Sequence, residues 1–101
     1  MGFDVVLYDH KGQELEFFEL SEGLHNAIFN LNKLWRSYLE LRRLSDFYLT
    51  DETFSGDKLI KLITDLNHYQ SNIPMQKQND YQEFIYKISQ SKVSSVHIAG
   101  D

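Results

Sequence analysis

The sequence predicts an α+β fold in one domain spanning residues 1–101: a small antiparallel sheet packed on about four helices. The sheet is expected to consist of an N-terminal hairpin plus a C-terminal strand. Three observations point there. Residues 3–8 and 14–18 are rich in strand-forming types and flank the turn cluster Asp9-His10-Lys11-Gly12. Residues 57–73 carry leucines and isoleucines at helical spacing, and Val93–Ile98 alternates again near the end of the chain.

Taking the elements in order, a hairpin loop from Asp9 to Gln13 sets Tyr8 opposite Glu14, Leu7 opposite Leu15 and Val5 opposite Phe17. That register gathers Val5, Leu7, Leu15 and Phe17 on one face. It turns Asp4, Val6, Tyr8, Glu14, Glu16 and Phe18 to the other. Slipping by one residue scatters the apolar face, so the first register is preferred. Ser21-Glu22 then reads as an N-cap with an acid in the first turn of a short helix carrying Leu24, Ile28 and Leu31.

A second helix is expected from about Lys33 to Phe47, with Leu34, Trp35, Tyr38 and Leu39 on one arc and Lys33, Arg36, Glu40 and Arg43 opposite. Arg42 and Asp46 fall on its apolar arc. Either the helix ends near Leu44, or the two form a buried pair, or they meet a ligand. Residues 49–57 read as a polar break and a second acidic concentration, with Asp51, Glu52 and Asp57. Ser55 or Asp57 is expected to cap the third helix, which must stop before Pro74, the only proline. A fourth helix opens at Asp80, where Tyr81, Phe84, Ile85 and Ile88 follow helical spacing.

Charge is distributed unevenly. The first 22 residues hold Asp4, Asp9, Glu14, Glu16, Glu19 and Glu22 against Lys11, which accounts for the whole formal net charge of −5. An acidic surface interleaved with aromatic rings suits a basic protein partner and argues against general nucleic-acid binding. Aromatic residues make up 14% of the chain and must be divided between the core and any contact surface. There is no cysteine, which excludes disulfides and thiolate metal sites and permits a reducing compartment. No basic n-region or long apolar run is visible, so neither a secretion signal nor a membrane span is expected; the expected setting is cytoplasmic.

Chemistry-bearing patterns are sparse. The four histidines (His10, His25, His68 and His97) are far apart in sequence and match no metal-ligand spacing, so no metal or cofactor is expected. His25, between Leu24 and Ile28, reads as a core histidine. No nucleophile elbow, phosphate loop or dinucleotide fingerprint occurs. Glu14 and Glu16 would point the same way from an open sheet instead of facing one another across a cleft. The sequence therefore predicts a binding protein and not an enzyme.

Three stretches carry a resemblance. Residues 2–9 (Gly-Phe-Asp-Val-Val-Leu-Tyr-Asp), 19–26 (Glu-Leu-Ser-Glu-Gly-Leu-His-Asn) and 45–54 (Ser-Asp-Phe-Tyr-Leu-Thr-Asp-Glu-Thr-Phe) together look like small bacterial immunity proteins of contact-dependent inhibition and polymorphic toxin systems. The resemblance implies a cytoplasmic antidote that binds a cognate toxin domain, often an RNase or DNase, and covers its active site. The expected partner-binding residues are Asp4, Tyr8, Glu14, Glu16 and Phe18 on the hairpin, with Tyr48, Asp51, Glu52 and Phe54 near the second acidic stretch. Tyr8, Phe18, Tyr48 and Phe54 are the expected anchors, and the acids surround them. A regulatory adaptor or subunit of a larger complex is the alternative, and a small enzyme is a further one.

Overall fold

The structure, a computed structural model, describes residues 2–46 and 49–100. Its frame is a four-stranded antiparallel sheet in the order β2-β1-β4-β3, formed by β1 (Gly2–Tyr8), β2 (Glu14–Ser21), β3 (Asp51–Ser55) and β4 (Ser95–Ala99). Three helices, α1 (Glu22–Phe29), α2 (Gly56–Tyr69) and α3 (Gln78–Ile88), complete the mixed α+β architecture. The C-terminal strand does pair with the hairpin, on β1. A fourth strand joins beyond it, where the sequence reading had placed a polar break: Phe54 pairs with Val96 and is wholly buried, which fixes this stretch against β4.

The hairpin turn is built as its residue types require. Asp9 Oδ1 accepts the backbone N–H groups of Lys11 and Gln13, each at 2.9 Å, and Gly12 takes the left-handed conformation at φ 76°. Beyond it the observed register departs from the expected one. Tyr8 does oppose Glu14, but a bulge follows, so Leu7 faces Glu16, Val6 faces Phe17 and Val5 faces Phe18. Leu15 is the extra residue. Phe18 and Leu20 thereby turn inward, and Phe17 turns out. The reason lies at the far end of the strand. Leu20 must reach the core beside Leu24, and Ser21 must cap α1, which it does by accepting the Leu24 N–H at 3.1 Å. Counting back by twos from Leu20 puts Phe18 inside, and the bulge reconciles that phase with the turn.

Residues 33–46 form two short 3-10 turns, Leu34–Ser37 and Leu41–Leu44, in place of the expected long helix. Tertiary hydrogen bonds override the helical periodicity here. Asp65 of α2 accepts the backbone N–H groups of Glu40 and Leu41 at 2.9 and 3.2 Å. Trp35 Nε1 donates to the carbonyls of Phe29 and Asn32, tying the chain back to the end of α1. Arg42 and Asp46 are both exposed, so they form no buried pair. Phe47 and Tyr48 lie outside the described residues.

The core lies on one side of the sheet. Phe3, Val5, Leu7, Phe54, Val96 and Ile98 meet α1, α2 and α3 through Leu24, Ile28, Leu62, Leu66, Tyr69, Tyr81, Phe84 and Ile88. The polar ends of its two tyrosines are satisfied. Tyr69 donates to the Ile28 carbonyl at 2.9 Å and Tyr81 to the Leu66 carbonyl at 2.6 Å. Burial raises both phenols above their ordinary range, so they stay neutral donors. His25 is buried as expected, with its ring edge-on to Phe3 at 4.7 Å and its Nε2 3.1 Å from the Leu44 carbonyl. Desolvation holds its pKa below the ordinary value of 6.5.

Candidate functional site: an open acidic sheet face

Directly opposed residues of an antiparallel sheet share a face, so the four-strand register defines the surface opposite the helices. Its middle row runs Phe17, Val6, His97, Thr53. One flanking row is Glu19, Asp4, Ala99, Asp51, and the other is Glu14, Tyr8, Ser95, Ser55. These twelve positions hold four carboxylates and no lysine or arginine. Phe17 is 55% exposed, and Val6 and Tyr8 are half-buried by their neighbours in the sheet.

His97 sits near the centre, its Nε2 2.6 Å from Asp51 Oδ1. That contact ties the outermost strand's carboxylate to the middle row. Among the described residues, no three His, Cys, Asp or Glu side chains gather closely enough to hold a metal ion.

The structure divides the sequence-predicted contact residues between the two sides of the sheet. Asp4, Tyr8, Glu14 and Asp51 come together on the open face. Glu16, Phe18, Glu52 and Phe54 are corrected to the helical side, for reasons of register. Phe54 is fully buried and offers nothing to a partner. Phe18 packs edge-on to Phe84 at 6.4 Å between ring centres. Glu16 accepts from Lys87 Nζ at 2.9 Å, and Glu52 from Arg43 at 3.1 Å. The Glu16 hydrogen bond is the main reason that the Lys87 pKa lies above its ordinary value. Tyr48 lies outside the described residues.

Phe17, Glu19 and His97 join the face although the sequence reading had not placed them among the contact residues. The signal for Phe17 and Glu19 was the fixed inward position of Leu20, since alternate residues of a strand point to opposite sides. His97 needed the pairing of β4 with both β1 and β3, which no local pattern specifies.

Cavities lie away from this face. One, of about 440 Å³, opens between α1 and the 3-10 turns and is lined by Glu22, His25, Asn26, Asn30, Trp35, Ser45 and Asp46. Another, of about 220 Å³, lies between the outer edge of β2 and α3. Among the described residues, no helix is long and apolar enough to cross a membrane. The chain matches no family model, and no curated protein or solved structure is significantly similar to it.

Proposed function

We propose that this chain is a non-enzymatic, cytoplasmic inhibitor of the immunity-protein kind, which binds a basic toxin domain and covers its active site. The observation that carries the reading is the uncovered sheet face, whose four carboxylates surround Phe17, Val6 and Tyr8 without a single lysine or arginine. A toxin that cleaves RNA or DNA must attract phosphate, so its cleft is basic. An acidic face competes for the same field and raises the association rate by roughly 10- to 1,000-fold at low salt. Affinity then depends on desolvated aromatic anchors, for which Phe17 and Tyr8 are placed.

Expression beside the toxin domain encoded next to its own gene should restore growth. Reversing Asp4 and Asp51 to Lys should slow association and flatten its salt dependence while the fold is retained. The absence of any neighbouring toxin domain, or unchanged association by the doubly reversed variant, rejects the reading.

A further inference from the structure

The sheet has two terminal strands, β2 and β3, and the longer of them, β2, borders the open face along one side.

β2 is eight residues long and without proline. Among the described residues its backbone pairs with β1 alone, which leaves the other edge open to a further strand. Natural edges are commonly blunted by charged side chains, proline, a bulge or a covering element. This one carries the Leu15 bulge at its turn end and Glu14, Glu16 and Glu19, so its charge leaves it open to a strand of opposite sign only. Two copies of such an edge repel one another, whereas a basic strand is attracted.

Beside the edge opens the 220 Å³ cavity, floored by Phe18, Leu20, Leu24 and Phe84 and rimmed by Asp80 and Glu83. Its wall already holds an ammonium group. Lys87 Nζ lies 4.4 Å from the centre of the Phe18 ring, 2.9 Å from Glu16 and 3.6 Å from Glu83. An aromatic face and carboxylates in that arrangement suit a cation on an apolar stem. Glu16, Asp80 and Glu83 lie on the cavity side of β2 with that one lysine, and Glu14 and Glu19 add negative charge on its other face.

We propose that the free edge of β2 accepts an extended, lysine- or arginine-bearing segment of the protein partner as a fifth strand, with one basic side chain entering the cavity between β2 and α3. This deepens the inhibitor reading and rests on it. Main-chain hydrogen bonds along the edge supply affinity, and the cavity selects the side chain.

The test uses the purified chain and three capped nonapeptides: alternating Val-Lys, alternating Val-Glu, and the Val-Lys peptide N-methylated on every residue so that neither of its edges can donate to a sheet. The Val-Lys peptide should slow hydrogen exchange of Glu14–Ser21 backbone amides at least tenfold and bind at least tenfold more tightly than both others. Glu83→Gln combined with Asp80→Asn should weaken it by a similar factor. Circular dichroism confirms that this variant is folded, and the single Asp80→Asn change, at an exposed site, provides a second variant. Equal binding of the N-methylated peptide, protection confined to β3 or the open face, or no binding by the unaltered chain overturns the proposal. Because Asp4 and Asp51 lie off this edge, loss of toxin binding on reversing them, alongside failure of the peptide test, would leave the inhibitor reading standing and remove only the edge.

Discussion

The two faces of this sheet are built from alternate residues of the same four strands, and they have opposite physical roles. On one side Phe3, Val5, Leu7, Phe54, Val96 and Ile98 are at most 1% exposed and hold the helices. On the other, carboxylates surround a phenylalanine that remains more than half exposed. Stability is concentrated on the first face, leaving the second available for the proposed partner. A single-residue bulge between Tyr8 and the rest of β1 decides which phenylalanine belongs to which side.

The largest effect that tests this division is expected from Phe54→Ala, which empties a fully buried site and should cost about 3–5 kcal/mol in denaturant unfolding. A value near zero would show that β3 is not part of the stable sheet. Asp65→Ala should cost about 1–2 kcal/mol, because the N–H groups of Glu40 and Leu41 lose a charged acceptor. The 3-10 segment should then exchange its amide protons faster, while the strands do not.

His25 makes the core side sensitive to pH. Its folded pKa lies below the unfolded value of 6.5, so the unfolded chain binds the extra proton. Its contribution to stability is therefore fully present above pH 6.5 and falls as the pH drops through the window between the two values. Linkage for one proton limits the slope to about 1.4 kcal/mol per pH unit. Urea midpoints at pH 7.5 and 5.5 measure the effect, and His25→Phe should flatten the difference. A slope unchanged in that variant would assign it to other groups.

Ser21→Ala should cost about 1 kcal/mol by removing the cap on the Leu24 N–H. Smallest of all should be the stability change of Phe17→Ala, within about 0.5 kcal/mol, since that ring is mostly in water. The same substitution should nonetheless weaken partner binding measured by titration. A large stability loss would mean that Phe17 supports the fold, and the contrast between the two faces would then fail.

Much of this was legible locally. Ser21 and Glu22 announced the start of α1, Pro74 set a limit on α2, and the spacing of Tyr81, Phe84 and Ile88 marked the buried side of α3. The first strand's alternation also placed Asp4 and Tyr8 outward correctly. Where the structure departs from the local pattern, the local signal is balanced. Phe17 and Phe18 are chemically equivalent neighbours, so periodicity alone gave no preference between them. Residues 33–47 carry a convincing helical stripe, yet Asp65 holds the backbone of Glu40 and Leu41 in a different conformation and Trp35 ties the segment to the end of α1. Residues 51–55 are polar at all but one position, and only Phe54 opposite Val96 makes them a strand.

By itself the sequence determined the α+β class, the hairpin, α1, α2 and α3 among the four helices expected, and the acidic bias of its first residues, because caps, turns and periodicity act over a few neighbouring positions. Tertiary structure alone decided the fourth strand, the bulge and the gathering of Asp4, Glu14, Glu19 and Asp51 on one surface. Those depend on which strands lie side by side, and that is settled by how the whole set of apolar side chains packs against the helices.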